Sequence, residues 1–304
     1  MICFFCISIL LPAEGTAGGW KQNRERFAGL RRSSYGLSDR NGNNQWWAER
    51  ATAYAGMLNQ FDPDKHFSPA MIEIVSIFLD NGKTKFEFSK PATYKGGTEN
   101  MTFRDTVSAS SVDHEQALTI YDLENISVFL QLEPGFADVA DGFDIIFKAF
   151  GHHQCIKGFG VDAEWYRHNN GLMKEGKPVS DEEARSWMNK VTALNPSYML
   201  FIKHWKTTHM PPSYRHPGLW FLSDSQNFEG LEEMLLEFEK WGKTFNGNDT
   251  GYQFGYKSDK KWWQGLPYPH TAIALSIFSQ LPETRFLFWV DFTADQVLFS
   301  LNHQ

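Results

Sequence analysis

The stretch Gly158-Phe159-Gly160-Val161-Asp162-Ala163-Glu164-Trp165-Tyr166 holds the sharpest chemical pattern in the chain. Side chains alternate along a strand, so Asp162 and Glu164 share one face. Two carboxylates at that spacing divide labour: one keeps a proton for a leaving group, and the other orients substrate or stabilises developing charge. Crowding and burial raise the pKa of such groups, which keeps an acid protonated near neutral pH. A structural use competes with this chemistry, with Asp162 capping the following loop and Glu164 pairing with Lys203 or Arg167. Against that use, inward carboxylates in so apolar a strand are costly when they serve no purpose.

The elements around this pattern must position it. Apolar, β-rich runs at 33–37, 71–79, 128–132, 156–163, 199–204, 219–223, 251–256 and 286–291 predict eight strands. Helical spacing predicts helices over 45–57, 115–123, 139–150 and 270–281. Two more helices are marked by Ala184, Trp187, Met188, Val191 and Leu194, behind a capping box at Ser180 and Glu183, and by Leu231, Met234, Leu235, Phe238 and Trp241. Strands alternating with helices give an α/β chain, a (β/α)8 TIM barrel over residues 20–304 as one domain. An open doubly wound sheet is the alternative, and no glycine-rich phosphate loop supports it. After the second strand, Asp80-Asn81-Gly82 predicts a type I′ hairpin turn opening a long insertion, 80–113, on the active face. Its aromatics Phe86, Phe88, Tyr94 and Phe103 suit a groove wall or lid, or a solvated decoration.

Barrel active sites gather at the C-terminal ends of strands. Those ends offer Glu133, Asp162 and Glu164, His204 beside Lys203 and Trp205, Asp224 and Gln226, Tyr256, and Trp289 with Asp291. Trp262 and Trp263 follow the seventh strand and are expected to stack on a sugar, while Trp46 and Trp47 read as half core. His152, His153, His204, His209, His216 and His270 have no metal-ligand spacing, so neither a metal nor a cofactor is expected.

Aligned on Glu164, the stretch resembles the fourth-strand signature of the family 18 glycoside hydrolases, D-G-x-D-x-D-x-E. Gly158, Phe159, Val161 and Asp162 match, while Lys157 and Gly160 replace two aspartates. Trp289 is similar to the tryptophan that floors that family's reacting-sugar site, and Asp224 to its sixth-strand aspartate, with Phe221 and Ser223 in place of Met and Tyr. The match covers about a dozen positions. It implies substrate-assisted hydrolysis, in which Glu164 protonates the glycosidic oxygen while the substrate's acetamido oxygen attacks. Asp162 would then orient the acetamide, and Tyr256 would replace the missing tyrosine. Family 25 muramidases share Asp-x-Glu, so a two-carboxylate retaining barrel using Glu164 with Asp224 or Asp291 stands beside this reading. A catalytically silent, lectin-like sugar-binding barrel is the alternative from another class, and the retained Glu164 weighs against it.

Composition agrees with a carbohydrate ligand. The 304 residues are 42% hydrophobic and 15% aromatic, which excludes a disordered chain. A net charge of −7 argues against a nucleic-acid partner. The apolar start with Cys3 and Cys6, followed by small residues at Gly15 and Ala17, predicts a signal peptide over 1–17 and a secreted protein. Three glycosylation sequons, at Asn100, Asn125 and Asn248, fit that expectation. No later run is long enough to span a membrane, and a monomer is expected.

Overall fold

A computed structural model describes residues 25–61, 66–106, 111–168 and 175–297. The leader, with Cys3 and Cys6, lies outside the described residues. Eight parallel strands close into a barrel: β1 (Arg26–Arg32), β2 (Phe67–Ile74), β6 (Ser127–Leu132), β7 (Ile156–Asp162), β8 (Met199–Lys203), β9 (Leu219–Ser223), β10 (Asp249–Phe254) and β11 (Phe286–Trp289). Helices α1 (Asn44–Phe61), α2 (His114–Leu123), α3 (Val139–Phe150), α4 (Asp181–Leu194), α5 (Leu231–Thr244) and α7 (Pro269–Gln280) lie between successive strands. Two short helices, α6 (Lys260–Trp263) and α8 (Ala294–Val297), follow the last strand ends. The architecture is the (β/α)8 barrel that the alternation predicts.

Seven of the apolar runs overlap barrel strands, although 71–79 begins four residues into its strand and runs past its end, and the first strand lies elsewhere. It is β1, Arg26–Arg32, rather than 33–37. Its basic ends hide an apolar strand whose Arg31 and Arg32 are both buried against carboxylates. The capping box forms as expected at α4: Glu183 N donates to Ser180 Oγ at 3.2 Å, and Ser180 N donates to Glu183 Oε2 at 2.9 Å.

Strand alternation sorts the core into two sets. Phe27, Phe129, Phe201, Trp220 and Phe286 point inward and fill the barrel with rings, Trp220 stacking on Phe286 at 3.6 Å. Each large ring removed from water contributes roughly 1.5–3 kcal/mol. Outward residues such as Val128, Leu130, Phe159 and Ile202 meet the helices. One layer above the inner rings, the same alternation brings Arg31, Gln131, Asp162, Lys203 and Gln253 inward. The aromatic plug is thus the floor beneath a polar mouth.

The insertion after β2 contains β3 (Ser76–Phe78), β4 (Thr84–Phe86) and β5 (Met101–Phe103), which form a small sheet of order β3-β4-β5. Only Gly82 of the hairpin turn has positive φ, at 82°, so the connection is a three-residue one rather than type I′. Thr84 Oγ1 donates to the Glu133 carbonyl at 2.9 Å, which sets this sheet beside the mouth. Phe86, Phe88 and Tyr94 are buried, Phe88 against Phe150 of α3, so these rings fasten the insertion instead of lining a groove.

Candidate active site

Asp162 ends β7 and faces inward, and the 3-10 turn that follows carries Glu164. Asp162 uses both oxygens. Oδ1 accepts from Glu164 N at 3.3 Å, while Oδ2 accepts from Lys203 Nζ at 2.7 Å and Gln131 Nε2 at 3.3 Å. Asp224, just beyond β9, accepts from the same Lys203 ammonium through Oδ2 at 3.0 Å. Its Oδ1 is buried and has no hydrogen-bond partner. Carboxylate oxygens of Asp162, Glu164 and Asp224 all lie within 4.8 Å of one another. The capping role weighed against chemistry is therefore present for Asp162, whereas the ion pair expected of Glu164 with Lys203 is not: Lys203 pairs with Asp162 and Asp224.

The electrostatics follow from this crowding. Burial first, then Asp162 and Asp224, push the Glu164 carboxyl up to about 8, with Lys203 restraining the rise. Burial also raises Asp162, against the pull of Lys203. The Lys203 ammonium is opposed by burial, yet Asp162 and Asp224 hold its pKa well above the usual lysine value. Glu133 accepts from Tyr35 Oη at 2.6 Å and from Phe78 N at 2.9 Å. Burial and Asp162 push it up to about 7 in spite of those bonds. At neutral pH the mouth holds an acid in its protonated form and a cation between two carboxylates.

A cleft of about 660 Å³ opens on this cluster, lined by Glu164, Trp205, Asp224, Gln226, Phe228 and Leu236 among others. That volume suits a small organic ligand or a sugar unit. Trp205 is 38% exposed and presents its ring there, while Phe78 and Trp165 stack at 5.0 Å beside Glu164. Gln226 sits at the rim and accepts from Ser258 Oγ at 3.2 Å.

Of the remaining candidates, Tyr256 stays beside the cluster and the others are committed to structural contacts. Tyr256 is buried and donates to Gln253 Oε1 at 3.2 Å; after burial, the charge of Asp224 is the next largest effect raising its pKa. Asp291 is fully buried and committed to Arg31 and to Ser33 N, tying β11 to β1. It is not brought to Glu164 as a partner carboxylate. His204 is buried and accepts from Lys206 N at 2.7 Å through Nδ1, so Nε2 carries the proton given to the Glu175 carbonyl at 2.8 Å. Burial lowers its pKa, and the neutral ring serves to hold a loop. Trp289 points outward and has no exposed surface; its Nε1 donates to Thr293 Oγ1 at 2.9 Å, and its ring meets Trp263 edge-on. An indole buried on the helix side offers no face to a sugar, and Trp263 is buried likewise, its Nε1 donating to the Tyr256 carbonyl.

Gly160 explains one departure from the resemblance. It faces inward, and a Cβ there would lie 1.9 Å from the Phe201 ring. That ring is wedged against Trp220 and Phe129, so no aspartate fits beneath Asp162 while Phe201 fills the barrel. Lys203 supplies polar support for Asp162 from the neighbouring strand instead. Sequence reasoning left Gln131 out of the site, although it shares the parity of Glu133, and offered Lys203 only as a partner for Glu164. Arg31 was out of reach because its strand was misplaced.

No protein-family model matches the chain, and no curated protein matches it, so the family 18 resemblance gains no support there. Among solved structures, the chain is similar to an FMN-binding beta-glucuronidase from Facaelibacterium prausnitzii L2-6, at 12% identity and a TM-score of 0.50. The likeness covers 91% of this chain and 38% of that one, so this chain spans well under half of that enzyme. The YdhT protein from Bacillus subtilis matches at 10% identity and a TM-score of 0.34, over 91% of this chain and 82% of that one. At 12% identity the likeness to the glucuronidase shows the fold alone.

Proposed function

We propose that this barrel is a retaining glycoside hydrolase, with Glu164 as acid–base and Asp224 as the carboxylate that meets the anomeric carbon. The observation that carries the reading is the approach of the Glu164 and Asp224 oxygens to within 4.8 Å. Retaining enzymes need their two carboxyl groups about 5–5.5 Å apart, whereas inverting ones leave room for water at roughly 6.5–9.5 Å. Asp224 is the better nucleophile of the two aspartates because it lines the cleft beside Glu164, while both Asp162 oxygens already accept hydrogen bonds. The glucuronidase named on the similar structure supports a glycosidic substrate.

In the first step Glu164 gives its proton to the glycosidic oxygen as the C1–O bond breaks, and an Asp224 carboxylate oxygen bonds to C1. Glu164, now ionised, then takes a proton from water; that oxygen attacks C1 and releases Asp224. Lys203 keeps Asp224 and Asp162 in register throughout, and Trp205 offers a ring at the cleft for the sugar. The test is a panel of aryl glycosides, β-glucuronides included, followed by an activated 2-deoxy-2-fluoro glycoside and peptide mapping. A glycosyl label on Asp224 supports the reading, and a label on any other residue overturns it.

The substrate-assisted route is the second reading, favoured by the Asp162–Glu164 pair and by Tyr256 beside Asp224. It predicts hydrolysis of 2-acetamido sugars alone and no label on Asp224. Binding across the panel without any hydrolysis would mark the lectin-like alternative. Secretion and a monomeric state belong to the same proposal. Sequencing the mature N-terminus tests the leader at 1–17, and light scattering tests the monomer.

A further inference from the structure

A second cluster of ligating side chains lies away from the mouth. Glu115, in the first turn of α2, meets His152 and His153, which link α3 to β7. Oε1 of Glu115 lies 2.9 Å from His152 Nε2 and 3.3 Å from His153 Nε2, and one atom from each residue falls within 4.8 Å of the others. Ligand atoms about 2.0–2.2 Å from a tetrahedral zinc ion are roughly 3.3–3.6 Å from each other, so this spacing needs little adjustment.

His153 carries the argument. Its side chain is only 5% exposed, and its Nδ1 lies 2.6 Å from Asp122 Oδ2. Asp122 is itself held by Cys155 N, which donates to Oδ1 at 2.6 Å. Asp122 accepts the Nδ1 hydrogen, which leaves Nε2 to ligate; it lies 3.3 Å from Glu115 Oε1 and makes no hydrogen bond. Nothing hydrogen-bonds that buried nitrogen, although Glu115 and His152 stand beside it. A carboxylate behind an imidazole is also the arrangement that fixes the tautomer of a metal-bound histidine and raises its basicity.

We propose that Glu115, His152 and His153 form a site for a divalent transition-metal ion, zinc by their nitrogen and carboxylate chemistry, with Asp122 orienting His153. The sequence spacing concealed it because Glu115 stands 37 residues before His152. The ion would tie α2 to the segment leading into β7, at the opposite end of that strand from Asp162. Seven residues of strand separate the two clusters by about 20 Å.

The experiment is calorimetric titration of the whole chain with zinc chloride, alongside Glu115→Gln, His152→Ala, Asp122→Asn and Glu164→Gln. Glu115 and His152 are more than half exposed, so replacing them leaves the fold intact. Expected are one ion bound per chain, at least a tenfold weakening in Glu115→Gln and His152→Ala, and about 10–100-fold in Asp122→Asn. Glu164→Gln should bind as the wild type does. No binding by the wild type overturns the site. So does binding that survives Glu115→Gln and is lost in Glu164→Gln, which would place the ion among the mouth carboxylates.

Discussion

Replacing Lys203 with Met removes the one ammonium shared by Asp162 and Asp224, at 2.7 and 3.0 Å, with every partner nearly sealed from water. Breaking a buried pair by deleting one partner costs about 3–5 kcal/mol, and here two carboxylates lose the same cation, so the upper end applies near pH 8. The pH dependence gives the sharper test. Burial already raises Asp162 and Glu164 in the folded state, and Lys203 opposes both rises. Without Lys203 their folded pKa values climb further above the unfolded ones. Stability tied to a raised carboxyl is complete below its unfolded value, near pH 4, and is lost as pH rises through the folded value. The deficit of Lys203→Met should therefore be small near pH 4.5 and grow to several kcal/mol at about pH 8. Urea unfolding of both proteins at the two pH values measures it. An equal deficit at both, or one below about 1 kcal/mol at pH 8, would refute the shared-cation account.

Gly160→Asp should destabilise the barrel by about 1–3 kcal/mol or more, because the new side chain must displace the Phe201 ring; thermal melting checks this. Trp289→Ala should cost roughly 3–5 kcal/mol in chemical denaturation yet leave sugar affinity of the folded protein unchanged; weakened binding at full folding would return Trp289 to the site. Trp205→Ala, at a part-exposed ring, should leave stability within about 1 kcal/mol of wild type and raise KM on any oligosaccharide the wild type cleaves.

Periodicity was enough to find seven strands and six helices because each buries an apolar face against a neighbour. β1 escaped because Arg31 and Arg32 break its apolar run, and only tertiary ion pairs with Asp291 and Glu73 make their burial tolerable. The carboxylate pair Asp162 and Glu164 was legible from strand parity, and Asp224 from its place just past β9. Asp291 and Trp289 looked equally eligible, since nearness to a strand end does not tell which side of the barrel a residue joins. Trp289 goes outward with the helices, and Asp291 is taken up by Arg31 and Ser33. Lys203 required three elements at once: the parity of β8, the register that sets it opposite Asp162, and the approach of Asp224 from β9.

The most direct test of Glu164 as the acid is the pH profile of kcat/KM for wild type and Glu164→Gln on one substrate with a poor leaving group. The wild-type rate should fall as pH rises through about 8, where Glu164 loses its proton. Glu164→Gln should be slower by ~10²–10⁴ and should lack that basic limb, while an activated aryl glycoside, which needs no protonation to depart, should recover most of the first step. A variant that keeps the wild-type rate and the limb near pH 8 on the poor leaving group would contradict the account.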